Sequence, residues 1–168
     1  IPKLPWHIVL LFGGGFALAG GFTHSGLSMW FGEQVKWIGQ FHPLMVIFGV
    51  ALLMSFLTEL TSNTATTEMF LPILAGIAVN IEINPLLLML PATFAASMAF
   101  MLPVATPPNA IVFGTNRINV KQMAKTGLIL NLLAVIILSL FVYYYGPLVF
   151  NIDLEQIPDW ALQLGNQK

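Results

Sequence analysis

Apolar residues gather in four stretches, at 8–22, 42–60, 84–104 and 127–150, and none of them alternates at period two. The longer stretches reach the roughly 20 residues that a helix needs to cross a hydrocarbon core and are too long for strands, so the pattern predicts membrane helices rather than a barrel. Two features interrupt it. The first is TELTSNTATTE at 58–68, in which nine of eleven residues are polar, set between PLMVIFGVALLMSFL and MFLPILAGIAV. The second is MLPVATPPNAIVFG at 101–114, where Pro103, Pro107 and Pro108 fall in what is otherwise a spanning helix.

The elements follow from this pattern. Residues 6–30 read as one helix whose small residues lie four apart, Gly13 with Ala17, Gly15 with Ala19 and Ala17 with Gly21, a spacing that lets a neighbouring helix approach closely. Residues 31–42 read as a linker whose Trp30, Phe31 and Trp37 suit a membrane interface. Two arms follow, 43–60 and 65–80, joined by the polar stretch. Both could cross the membrane, or both could dip in and return as a re-entrant hairpin. The hairpin is favoured because Pro72 is expected to break the second arm, whose clean apolar part is eleven residues, about 16 Å of helix against a core of about 30 Å. A cytoplasmic tip should also attract basic residues, and Glu59 and Glu68 stand there instead.

Each proline of the second feature lacks an N–H, which frees the carbonyls of Ala99, Pro103 and Val104, and Thr106 and Pro107 precede prolines and avoid helical angles. The helix is therefore expected to unwind near 104–108. Non-helical backbone at membrane depth is tolerated where it lines a cavity, and paired interruptions point to a transporter binding site. Freed carbonyls, the Thr58 and Thr106 hydroxyls and the Asn63 side-chain oxygen are hard donors for a small cation. The Asn63 amide, the Ser62 and Thr64 hydroxyls and the first N–H groups of a helix starting near Ala65 suit an anion, with Ser62 and Asn63 as cap types.

Composition agrees with a membrane chain: 57% of residues are hydrophobic and 8% charged, against about 25% charged in a soluble domain. The net charge of −1 and the lack of a polybasic run argue against nucleic acid, and the absence of cysteine excludes disulfides and thiolate metal sites. Arg117, Lys121 and Lys125 place the 115–126 loop in the cytoplasm and the C-terminus outside, and Lys3 fits a cytoplasmic start. The start at isoleucine, close to a hydrophobic run and without a signal-peptide pattern, reads as a fragment of a longer polypeptide. No lysine or arginine lies between 37 and 116. An anion held there needs dipoles and co-bound cations to neutralise it, which is a physical reason for coupling to sodium.

TSNTATT at 61–67 followed by SMAFMLPVATPPNAIVFG at 97–114 resembles the divalent anion/sodium symporter family, the sodium-coupled dicarboxylate, citrate and sulfate carriers. Ser97, Phe100, Pro103, Asn109 and Val112 fit that family's signature spacing, and LLFGGGFALA at 10–19 and IPDWA at 157–161 extend the likeness. The resemblance implies an all-α integral membrane fold, the second half of an inverted-repeat transporter. Its parts would be a transmembrane helix and linker (1–42), a re-entrant hairpin with a Ser-Asn-Thr tip (43–82), a proline-broken helix (83–116), and a cytoplasmic loop, last helix and external tail (117–168). It further implies a homodimer working by an elevator movement, with the N-terminal repeat and another sodium site upstream, in a bacterial plasma membrane. Carried over by motif, Thr58, Asn63 and the carbonyls of Thr61 and Ala105 would bind sodium. Asn63, Thr64, Thr106 and Pro107, with Ser62 in the motif, would meet a substrate carboxylate. The expected function is sodium-coupled uptake of a C4-dicarboxylate such as succinate, with a citrate or sulfate symporter or a sodium-independent exchanger as alternatives.

Other readings are weaker. An enzyme is not expected: His24 and Ser25 are adjacent on a helix, so their side chains point about 100° apart and make no dyad. His7 and His42 lack metal-ligand spacing and read as interface residues. A channel could use the same carbonyls and hydroxyls, but anion donors fused to cation donors favour coupled carriage. Glu59 and Glu68 are expected to pair with donors elsewhere in the protein.

Overall fold

The computed structural model describes residues 6–150, 152, 157–158 and 160–161. Among them every regular element is helical: α1 (Trp6–His24), α2 (Leu27–Gln34), a 3-10 segment (Lys36–Gln40), α3 (Pro43–Thr58), α4 (Asn63–Asn80), α5 (Leu86–Ala95), α6 (Pro107–Gly114) and α7 (Val120–Phe150). Lys3, the side chain of His7 and most of the tail lie outside the described residues.

Three expectations are corrected. The helix expected over 6–30 is two, because Gly26 takes φ 72, a left-handed angle that ends α1 before α2 begins. The second arm is not broken at Pro72: α4 runs unbroken through it. One proline removes a single helical bond and leaves the turns on either side intact, and membrane helices tolerate that loss. The third concerns the chain between α5 and α6. It is non-helical from 96 to 106, starting well before the stretch expected to unwind near 104–108, and Pro107 and Pro108 open α6 as helical residues, where their missing N–H groups cost no helical bond.

The core explains this arrangement. On α3, Ile47, Ala51, Met54, Ser55 and Thr58 form one buried stripe at helical spacing. They meet Leu74 and Ala78 of α4, Leu87, Leu88, Ala92 and Ala95 of α5, and Val135, Leu138 and Val142 of α7. α3 and α4 make little contact with each other, and α5 packs against both. Further out, α2 and α1 cover α4, whose Glu68 side chain lies against Gly15 where a Cβ would overlap it. Among the described residues Gly15 alone of the spaced small residues shows this close approach, since Gly13 and Gly21 meet no neighbour within 4 Å and Ala17 is exposed.

Beyond its first two turns α7 is apolar nearly all round. Met123, Gly127, Asn131, Val135, Leu138, Val142 and Gly146 make a narrow buried seam, while Ile129, Leu133, Ile137 and Leu140 are exposed. Its 31 residues span about 46 Å, more than a hydrocarbon core of about 30 Å. A helix greasy beyond its protein contacts is what lipid selects. His42 caps the start of α3, its Nδ1 accepting from Leu44 N at 3.3 Å, and its ring reaches Tyr143 of α7 at 3.4 Å.

Candidate ligand cleft

A cleft of about 560 Å³ lies between the α3–α4 turn and the start of α6, lined by Glu59, Leu60, Thr61, Ser62, Asn63, Thr64, Val104, Ala105 and Pro107. Residues some forty apart in sequence are therefore neighbours. Of the residues predicted to form the site, Thr61, Ser62, Asn63, Thr64, Ala105 and Pro107 line it. Thr58 is buried behind Asn63, and Thr106 turns its hydroxyl to the α6 backbone.

Oxygen atoms converge behind the turn. The Thr58 hydroxyl lies against the Asn63 side-chain oxygen and against the Ala96 carbonyl at 2.6 Å. One hydroxyl proton serves only one of these acceptors at a time, so three oxygens share a single hydrogen. Such a donor-poor cluster suits a small hard cation. Thr61 is occupied otherwise: its hydroxyl donates to the Leu57 carbonyl at 2.8 Å and lies 2.5 Å from the Thr66 hydroxyl. That bonding fixes the backbone whose carbonyl was expected to bind sodium. Among the described residues no cluster of three His, Cys, Asp or Glu could hold a metal.

The other side of the turn is donor-rich. Ser62 takes the N-cap position of α4 with extended backbone, yet its side chain makes no capping bond. The N–H groups of Asn63, Thr64 and Ala65 have no intrahelical acceptor, and the helix dipole adds positive potential there. α6 differs. Pro107 and Pro108 have no N–H, and Asn109 N is taken by Thr106 Oγ1 at 3.4 Å.

Side chains shape the interruption. Asn109 Nδ2 donates to the carbonyls of Ala99 at 2.9 Å and Leu102 at 3.0 Å. The Ala99 carbonyl, expected to be free for a ligand, is thereby consumed. From α3, Ser55 donates to the Met98 carbonyl at 2.9 Å. Glu59 accepts from Met101 N at 2.8 Å, Leu102 N at 3.0 Å and Asn131 Nδ2 at 2.8 Å. Its expected pairing is met by these donors, whereas the Glu68 oxygens are buried without a partner among the described residues. Sequence reasoning missed Ala96 and Asn131. Asn131 did leave a signal, as an amide inside the apolar run 127–150. Ser25 Oγ turns to the Phe22 carbonyl at 3.4 Å rather than to His24.

A polar cleft between a helix–helix turn and a non-helical segment, beside one helix long and apolar enough to cross a membrane, marks an all-helical chain of membrane type. Residues 2–152 match the family described as Sodium:sulfate symporter transmembrane region, and the chain belongs to that family. It is an integral membrane chain of bacterial plasma-membrane type. It is 52% identical over 153 residues to the sodium-dependent dicarboxylate transporter SdcS of Staphylococcus saprophyticus, covering 91% of this chain and 30% of that protein. It is 51% identical over 154 residues to SdcS of Staphylococcus aureus strain USA300, covering 92% of this chain and 30% of that protein. The chain thus spans about a third of the length of the curated relatives it matches.

Proposed function

We propose that this chain is the C-terminal repeat of a secondary active transporter that couples sodium entry to uptake of a C4-dicarboxylate such as succinate. The observation that carries the reading is the cleft itself, where one residue, Asn63, stands between an oxygen cluster and a set of unspent N–H donors. Residues 43–82 act as a re-entrant hairpin with its tip at 59–62, and 83–116 as the broken helix opposite. The N-terminal repeat supplies the rest of the pocket, and two copies of the parent form a dimer in which this unit moves as an elevator.

Sodium is cargo here. Thr58 Oγ1, Asn63 Oδ1 and the carbonyls of Thr61 and Ala105 hold it, with the Ala96 carbonyl adjoining. Once a cation fixes Asn63 Oδ1, the same amide presents Nδ2 toward the cleft, where it joins Ser62, Thr64 and the α4 N-terminus in binding a carboxylate. Thr106 and Pro107 close the far wall. Cation and anion thus stabilise each other through one side chain, and because no lysine or arginine lies between 37 and 116, the dianion depends on that cation for neutralisation. The relatives' names support dicarboxylate over sulfate.

Radiolabelled succinate uptake into proteoliposomes by the full-length parent, with and without an inward sodium gradient, tests this. Uptake that requires the gradient and is lost in Asn63→Ala supports coupled transport. Sodium-independent uptake that requires internal dicarboxylate would make the protein an exchanger.

A further inference from the structure

Three consecutive N–H groups of the interruption, those of Phe100, Met101 and Leu102, are satisfied by two side chains from distant parts of the fold. Glu59 takes Met101 and Leu102, and the Asn131 side-chain oxygen takes Phe100 N at 3.2 Å. Asn131 Nδ2 then closes the network on Glu59 at 2.8 Å. Both residues are buried, Glu59 at 4% and Asn131 at 0% exposure. All three groups facing the Glu59 carboxyl are donors, so it acts purely as an acceptor.

The backbone approaches α7 just as closely. Gly127 lies one turn before Asn131 on the same helix face, and a Cβ there would overlap the Phe100 carbonyl and lie 2.6 Å from the Met101 Cα. α7 contributes no residue to the cleft. It does contribute the surface on which the interruption rests.

We infer that Glu59, Asn131 and Gly127 form a clasp that sets the spacing between the cleft's two walls, making Glu59 and Asn131 positioning residues for sodium and substrate binding. Glu59 begins the turn that carries Thr61, Ser62, Asn63 and Thr64. The segment it grips, 100–102, leads directly into Val104, Ala105 and Pro107 opposite. The clasp therefore fixes from behind the separation that a ligand must bridge from in front. The functional part of this inference rests on the reading of the cleft as the transport site.

The test uses the full-length parent, freed of other cysteines, with spin labels at Leu60→Cys and Val104→Cys, which are 79% and 85% exposed. Electron-spin distance measurements without ligand report the wall spacing, and uptake in proteoliposomes by the same variants without the two label sites, with Leu60 and Val104 intact, reports the sodium half-saturation. Asn131→Leu and Gly127→Ala are expected to broaden or shift the distance distribution. They should raise the sodium half-saturation by about tenfold, the loss expected when buried hydrogen bonds to a charged group are broken. Glu59→Gln should behave likewise, since its amide sets an N–H against a backbone N–H. Adding Asn131→Asp to Glu59→Gln should recover part of the loss. The new carboxylate at 131 still accepts from Phe100 N and takes a bond from the new amide at 59, with the charge count unchanged.

Wild-type distance distributions in both Asn131→Leu and Gly127→Ala would overturn the clasp. So would a paired variant no better than Glu59→Gln alone, a comparison that holds even if the single variants fold poorly. If wild-type uptake shows no sodium dependence, the reading of the cleft fails instead, and the distance measurement still decides whether the clasp exists.

Discussion

The turn at 59–62 and the interruption at 96–106 face the same cleft but treat their backbone polar groups in opposite ways. At the turn, two helices meet with four residues between them, and the start of α4 leaves its first N–H groups and the Ser62 hydroxyl unspent. Across the cleft, eleven residues leave helical geometry, and much of their hydrogen-bonding capacity is consumed by Ser55, Thr58, Glu59, Asn109 and Asn131. A short turn can leave its unpaired groups facing a wet cleft, whereas a long irregular segment in a membrane must satisfy its backbone with protein before anything remains for a ligand. On the proposed reading the turn supplies most of the binding chemistry, and the interruption supplies shape together with the Ala96 and Ala105 carbonyls.

The strongest way to break this comparison is Asn63→Ala, which removes a cation oxygen and an anion donor together. If the turn carries the binding chemistry, sodium-dependent succinate uptake by the parent should fall by more than about a hundredfold, as expected from two lost charge-assisted bonds. The melting temperature without sodium should hardly move. An equal loss of folding and uptake would assign Asn63 to shape instead.

Asn109→Ala probes the other wall and should show the converse pattern. Two bonds to part-buried carbonyls disappear, costing about 1–2 kcal/mol in stability. The melting temperature in detergent should drop, and sodium half-saturation should rise only several-fold, as an indirect effect. Thr106→Ala, which removes the α6 cap, should cost less, about 0.5–1 kcal/mol, because its bond to Asn109 N is long at 3.4 Å. A thermal melt beside Asn109→Ala checks the order. The smallest expected effect on stability is that of Ser62→Ala. Its side chain caps nothing, so the melt should be unchanged, and only the KM for succinate should rise, by about two- to tenfold for one hydrogen bond. A clear loss of stability would show that Ser62 serves the helix after all.

The two regions also differ in how far they could be read without a structure. The turn was legible because TELTSNTATTE contrasts with its flanks, and the contrast alone marks a place where a cluster of polar groups must find a use. The interruption was only partly legible. Its prolines mark only its end, Pro103 inside it and Pro107 and Pro108 opening α6, and the chain leaves the helix already at Ala96, where no proline forces it. Asn109, Ser55 and Thr58 bond the carbonyls released there, and that compensation depends on which helix packs alongside. Pro72 shows the reverse: a proline in a helix whose neighbouring bonds suffice does not break it. Local residue type therefore states a cost, and the surroundings decide whether it is met.

By itself the sequence determined that this is a helical membrane chain, that two interruptions break its apolar pattern, and that Asn63 with its neighbours offers both cation-type and anion-type donors. Those properties depend on composition and on spacing within one or two helical turns, which the chain order carries directly. Only the tertiary structure decided that the Ala96 carbonyl joins the Thr58 and Asn63 oxygens, that Asn109 consumes the Ala99 carbonyl, and that Glu59 is answered by Asn131, seventy-two residues away. Hydrogen bonds act over about 3 Å, so their partners are fixed by which surfaces pack together, and that is settled by the whole fold at once.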